Sequence, residues 1–347
     1  MNPLRRLPSR IMTVMLAALG AAVFALAGLP LPFLFGPMVA CLIAALLGAP
    51  LKGLGQISVA ARTILGVAVG ASITPELMHQ LPLMAASVVL IPVYIALIAL
   101  IGVPFFNRFC GFDPVTSFYS AMPGGLQDMV IFGEAAGGDV RTLSLVHATR
   151  VLIIVTIAPI LLTQLYGVTL TNPIGAPVAT IPLKELALMA VAALVGWKGG
   201  ERIGLFGASI LGPMIVAAVF SLAGWIHMRP PKEAILAAQF FIGMGIGVYY
   251  VGVTLRELRQ VVASGVAFVL LLSILAAAFT EFVTLVGFAA PVEAFLAYAP
   301  GGQAEMTVLA IVTGADLGFV ITHHLTRIIL VITGAPIAAR LLGVRKR

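Results

Sequence analysis

Pro123-Gly124-Gly125-Leu126-Gln127-Asp128-Met129, followed by His147-Ala148-Thr149-Arg150, decides the fold because it occurs twice. The second copy, 177 positions on, reads Pro300-Gly301-Gly302-Gln303-Ala304-Glu305-Met306 and then His324-Leu325-Thr326-Arg327. Between residues 123–160 and 300–337, thirteen of 38 positions are identical without a gap, where composition alone gives roughly two or three. Asp139 matches Asp316, Pro159 matches Pro336, and Asp128 faces Glu305, which keeps the acid. Apolar helices resemble one another by composition, but matched acids, imidazoles and guanidinium groups do not arise that way. An internal duplication sets the architecture before any other feature.

Composition identifies the solvent. The 347 residues are 61% hydrophobic and 10% charged, with mean hydropathy +1.13. A soluble domain carries about 25% charged residues, so the chain reads as an all-α polytopic membrane protein. A net charge of +7 suggests nucleic-acid binding in a soluble protein. Here the cations fall in short loops and tails, so membrane orientation explains them and no nucleic-acid partner is expected. Cys41 and Cys110 make neither a disulfide framework nor a metal cluster. Arg5-Arg6 and the apolar run 11–29 resemble a signal peptide, but 19 residues exceed the usual core of about 7–15. With a counterpart near 186–205, that run reads as the first span.

Segments near 11–29, 32–49, 57–73, 82–103 and 140–165 read as spans, then 183–197, 203–224, 234–252, 260–288 and 318–340. Gly36-Pro37-Met38 and Gly212-Pro213-Met214 are expected to break their helices. Gly66 and Gly70, like Gly243 and Gly247, place small residues on one helix face for close backbone approach. With the N-terminus inside, fifteen of the twenty Lys and Arg residues are cytoplasmic. Only Lys184, Arg229 and Lys232 fall outside, and Arg150 and Arg327 lie within the membrane, as the positive-inside rule favours. Five crossings are an odd number, so the expectation is about ten transmembrane helices as two inverted five-helix repeats, residues 1–172 and 173–347. Both termini are expected in the cytoplasm. Such repeats recur in secondary transporters.

Residues 112–138 and 289–315 are each expected to form a re-entrant hairpin. Proline removes a backbone donor and glycine costs entropy in a helix, so each Pro-Gly-Gly joins two half-helices. Irregular backbone at membrane depth is tolerated only against protein or a water-filled cavity, and bare amides after such a break suit an anion or polar ligand. The expected solute-binding residues are Pro123, Gly124, Gly125, Gln127, Asp128 and Arg150, with Pro300, Gly301, Gly302, Gln303, Glu305 and Arg327. Both arginines fall about 14–15 Å deep in a roughly 30 Å core, where each costs about 2.5–3.5 kcal/mol on insertion scales. Two roles stay open: clamping a carboxylate of the solute, or pairing with Asp128 and Glu305. Asp139 and Asp316 read as helix caps. His147, His324 and Glu281 are the proton-coupling candidates.

These paired PGG-x-x-[DE]-M and His-x-Thr-Arg segments resemble the AbrB family of bacterial inner-membrane proteins, sometimes labelled ammonia-monooxygenase-like. The resemblance covers nearly the whole chain. It implies a multi-pass protein of the bacterial inner membrane with a role described in two ways, as transport and as regulation of gene expression. Nothing in the chain resembles the small soluble DNA-binding regulator that shares the name.

Three functions compete. A secondary active transporter of a small polar or anionic solute, coupled to H+ or Na+ and without cofactor or catalytic group, fits the repeats; the lipid bilayer, the solute and a second copy in a homodimer are its expected partners. A membrane-embedded regulator would act through a partner protein by its helix surfaces, since no loop or tail is long enough for an output domain. A copper monooxygenase needs converging ligands. The chain has five histidines, and the neighbours His323 and His324 point about 100° apart on a helix.

Overall fold

The computed structural model describes residues 8–29, 31–170, 174–205 and 207–344, with the side chains of residues 76–81, 83, 127 and 304 outside that description. The tail cations Arg5, Arg6, Arg345, Lys346 and Arg347 lie outside the described residues. Among the described residues every regular element is a helix. In the first half the α-helices are α1 (Ser9–Leu26), α2 (Pro32–Leu46), α3 (Gln56–Gly70), α4 (Pro75–Val88), α5 (Leu90–Pro104), α6 (Pro114–Ala121), α7 (Leu126–Ala135) and α8 (Val140–Gln164). In the second they are α9 (Leu183–Arg202), α10 (Ala208–Leu222), α11 (Lys232–Val248), α12 (Leu255–Glu257), α13 (Ala263–Leu285), α14 (Pro291–Tyr298), α15 (Gln303–Thr313) and α16 (Leu317–Leu341). The offset of 177 carries α6 onto α14 and α8 onto α16 end to end.

Among the described residues five helical stretches are long and apolar enough to cross a membrane: Ser9–Leu26, Met84–Phe109, Val140–Gln164, Leu255–Leu285 and Leu317–Leu341. Large apolar side chains face outward on them, and some polar ones are buried. α1 exposes Ile11, Met15, Leu19 and Val23 and buries Thr13. α16 exposes Ile329, Ile337 and Leu341 and buries His323, His324 and Arg327. Apolar residues outside and polar ones inside suit lipid as the surrounding medium, which supports reading the chain as a membrane protein.

The chain forms two compact units, each drawing helices from both sequence halves: Met1–Thr74 with Pro173–Thr254, and Pro75–Asn172 with Leu255–Arg347. Glycines govern packing in the first. A Cβ on Gly20 of α1 would collide with the Gly36 carbonyl of α2, and Gly196 of α9 meets Gly212 of α10 in the same way. Gly66 and Gly70 of α3 lie against the carbonyls of Ile210 and Met214 on α10, while Gly243 and Gly247 of α11 lie against those of Leu34 and Met38 on α2. Thus α3 packs closely on α10, and α11 on α2.

The Gly-Pro-Met segments do not break their helices. α2 runs through Pro37 and α10 through Pro213. A residue before proline resists the helical conformation because its N–H and Cβ crowd the ring, and glycine lacks the Cβ. The glycine serves contact with the neighbouring helix instead.

The second unit holds α4–α8 and α12–α16. Here α6 and α7 pack on α8, and α14 and α15 pack on α16. These two groups carry the duplicated motifs.

Candidate functional site

Each Pro-Gly-Gly ends one short helix and opens another. The backbone between α6 and α7 is extended at Met122 (φ −64°, ψ 132°) and at Gly125 (φ −63°, ψ 147°). Ala299 (φ −53°, ψ 134°) and Gly302 (φ −77°, ψ 153°) repeat this between α14 and α15. These angles suit any residue, so the glycines matter for the room they leave to neighbouring side chains. A Cβ on Gly124 would stand 2.6 Å from Met129 Cε, and one on Gly301 would stand 2.6 Å from Met306 Cε. A Cβ on Gly125 would collide with Asp128 Oδ2, and one on Gly302 with Glu305 Oε2. The motif is therefore one packing unit: the first glycine accommodates the methionine and the second the acid. Each acid occupies the first turn of the following helix, where the helix dipole favours negative charge.

The facing long helix holds each break open. Arg150 of α8, 3% exposed, donates through Nη1 to Met122 O at 3.2 Å and through Nη2 to Gly124 O. Arg327 of α16, 4% exposed, donates to Ala299 O and Gly301 O, both at 2.9 Å. His147 Nε2 donates to Tyr119 O at 3.0 Å, and His324 Nε2 to Leu296 O at 2.8 Å. Every acceptor moves by 177 between copies. A carbonyl only accepts, so the proton of each ring sits on Nε2. Nδ1 of His324 then accepts from Arg327 Nη2 at 2.7 Å. These carbonyls belong to the last turns of α6 and α14 and to the breaks beyond them, where helix ends leave acceptors unpaired and burial makes that costly. The guanidinium charge also opposes the negative end of each half-helix dipole.

Both Nη groups of each arginine are thus held by backbone, an arrangement distinct from the two the sequence suggested. Through space, Arg327 repels Arg150 more than Glu305 attracts it. Asp139 and Asp316 cap α8 and α16 by accepting from Arg141 N and Phe319 N. Asp139 N in turn donates to Thr116 Oγ1 at 2.8 Å, and Asp316 N to Glu293 Oε1 at 3.3 Å, from equivalent positions on α6 and α14.

Pro123 and Pro300 are buried in the breaks, and the Gln127 side chain lies outside the described residues. Glu281 is exposed near the end of α13. Among the described residues Arg150 Nε, Arg327 Nε, Ser120 Oγ, Gln303 Nε2 and His147 Nδ1 are buried polar atoms with no hydrogen-bond partner. A second polar cluster escaped the sequence reading. His323, Ser87, Tyr94 and Tyr298 join α16, α4, α5 and α14, with Tyr298 Oη donating to Ser87 O at 2.8 Å and Tyr94 Oη to Tyr298 O at 2.7 Å. Its only signal in the sequence was a mismatch: His323 stands where the first repeat has Val146.

Compared with known proteins, the family model described as "Transition state regulatory protein AbrB" matches residues 33–343. "Uncharacterized protein YhjN" of Bacillus subtilis (strain 168) is 26% identical over 360 residues, covering 95% of this chain and 92% of that protein. "Putative regulator AbrB" of Escherichia coli (strain K12) is 29% identical over 163 residues, covering 47% of this chain and 46% of that protein.

Proposed function

The chain belongs to the AbrB family, and from that premise we propose that it is a secondary transporter of a small polar or anionic solute. The observation that carries the proposal is the pair of equivalent helix breaks, each pinned open by a buried arginine and histidine from a facing long helix. Building such a break twice costs hydrogen bonds, glycine entropy and two buried cations, which mere packing does not need. Unwound backbone at membrane depth recurs at the solute sites of secondary transporters.

The finer topology is part of the same reading. Ten crossings in two inverted repeats make the helix breaks re-entrant from opposite sides and leave both termini in the cytoplasm of a bacterial inner membrane. Because both arginine forks are held by carbonyls, the solute meets the first-turn amides of α7 and α15, with Asp128, Glu305 and the Gln303 amide beside them. An anion at those amides shares each turn with a carboxylate. Like charges repel, so anion entry is expected to need H+ or Na+ as company. No step calls for a catalytic group or cofactor.

The test is flux in proteoliposomes under an imposed proton or sodium gradient, screened with small carboxylates and neutral polar solutes. Gly125→Val and Gly302→Val, which displace the acids, should each abolish it. Purified protein that binds and moves none of these, together with altered transcription on deletion, favours instead the regulatory role named in the Escherichia coli relative. Cysteine labelling that places the two termini on opposite faces refutes the inverted topology. Among the described residues no three His, Cys, Asp or Glu side chains gather, and metal analysis of the purified protein tests the monooxygenase reading.

A further inference from the structure

We propose that His323 is a proton-binding site in which Ser87 exchanges donor and acceptor roles, so that the imidazole is hydrogen-bonded both neutral and charged. His323 is 1% exposed, in the second turn of α16. Its Nδ1 lies 2.8 Å from Phe319 O. That oxygen only accepts, so Nδ1 carries a hydrogen in either state and the variable proton belongs to Nε2.

Nε2 lies 3.0 Å from Ser87 Oγ, which lies in turn 2.9 Å from Met84 O. A hydroxyl has one hydrogen and two lone pairs. When the ring is neutral, the Ser87 hydroxyl donates to Nε2. When it is charged, Nε2–H donates to Ser87 Oγ and the hydroxyl turns to Met84 O. Only one hydrogen rotates. Two aromatic rings also lie against the imidazole, Phe319 tilted with its ring centroid 4.0 Å away and Tyr298 in an edge arrangement at 5.8 Å.

The elements packed against α16 bring few other titratable groups. They are Tyr298 and Glu293 on α14, Glu305 on α15, Tyr94 on α5, and Glu76 and His79 on α4, whose side chains lie outside the described residues. On α16 itself the neighbours are His324 and Arg327, both bonded to the backbone of the second break. The ring thus lies directly beside one of the two pinned breaks.

Comparison of the repeats separates this arrangement from ordinary packing. Ser264, the equivalent of Ser87, makes the same bond to its own third-preceding carbonyl, Val261 O, at 2.8 Å. The serine is common to both copies, but the positions equivalent to His323, Tyr298 and Tyr94 are Val146, Ala121 and Leu271. A proton acceptor has been placed in one copy of a duplicated frame. Use of that proton to drive a solute rests on the transporter reading; the binding itself does not.

The test is 15N NMR of histidine-labelled protein in lipid nanodiscs, with His79→Gln and His227→Gln removing two of the five imidazoles. Across roughly pH 4 to 9, the range in which imidazoles change charge, one ring should pass reversibly from one N–H to two. That signal should be missing in His323→Gln. Ser87→Ala, which keeps the ring and removes its oxygen partner, should move the midpoint by about half a unit or more, because hydrogen bonds to a charged group are the stronger ones. A His323 signal that stays neutral throughout, a titrating signal that survives His323→Gln, or a midpoint indifferent to Ser87→Ala overturns the proposal. Flux is not measured, so failure here is distinct from failure of the transporter reading.

Discussion

Replacing Arg327 with methionine keeps much of the volume of the side chain and removes the fork that holds Ala299 O and Gly301 O at 2.9 Å. In the native protein, opening the second break strands a buried guanidinium and two buried carbonyls. Hydrogen bonds to a charged group contribute about 1.5–3 kcal/mol each, so losing two raises the free energy of opening by ~3–6 kcal/mol. The methionine variant opens without that loss. At about 1.4 kcal/mol per tenfold, amide exchange across residues 299–306 should accelerate by ~10²–10⁴. Deuterium exchange read by mass spectrometry in detergent or nanodiscs resolves such a change peptide by peptide. Arg150→Met should do the same across residues 122–129, with the smaller effect, because Arg150 lacks the third bond that Arg327 makes to His324 Nδ1. Lysine should rescue neither, since a single ammonium does not reproduce a planar fork spanning carbonyls two residues apart. If exchange in the breaks is unchanged while solute binding disappears, the arginines are clamps for solute and the pinning argument is wrong.

Three further outcomes follow from local geometry. Asp139→Ala removes the N-cap of α8 together with the partner of Thr142 Oγ1, and thermal melting should register about 1 kcal/mol of destabilisation. Gly36→Val drives a branched side chain into the Gly20 carbonyl of α1; overpacking of this kind costs ~1–3 kcal/mol or more, and fluorescence-detected size exclusion after heating should show early loss of the folded peak. Burial pushes the Cys110 thiol up, against a hydrogen bond with Ser264 that lowers it. Less thiolate is therefore present at pH 7 than for a free cysteine, and maleimide labelling should speed up about tenfold per pH unit up to and past pH 8.5. Labelling already complete in seconds at pH 7 contradicts that burial.

The sequence revealed features that are properties of side chains. Matched prolines, glycines and acids located both breaks, and their half-helices stand where expected, at 114–121 with 126–135 and at 291–298 with 303–313. The caps Asp139 and Asp316 were legible for the same reason. The arginine partners were not, because they are backbone carbonyls, and every residue has one. Sequence reasoning looked for a charged side chain or a solute to match each guanidinium, while the fold supplied the unpaired acceptors of a broken helix. Likewise Gly36-Pro37 was read for what proline forbids, whereas glycine lacks the Cβ that crowds the ring. The packing of α3 on α10 and of α11 on α2 left no trace beyond small residues at matched spacing.

His323 was overlooked for a more general reason. A search for duplication selects positions where two copies agree, and agreement marks whatever both copies share: glycines at close approaches, caps, and the two pinned breaks. A transporter with two equivalent half-sites would treat its two sides alike unless something broke the equivalence. A proton can bias such a cycle only by binding one of its states better than the other, and a site in one copy alone allows that. The residues that do this should sit where the copies disagree, on a frame they share. Ser87 and Ser264 belong to that shared frame, and the imidazole stands over only one of them. Transferring the imidazole by Val146→His with His323→Val tests the point. With Ser264 unchanged, the titrating signal should reappear on the other break, and in reconstituted protein the pH at which uptake is half-maximal should change sides with it. If the exchanged protein behaves as before, the asymmetry at this pair is ordinary packing drift between two diverged copies.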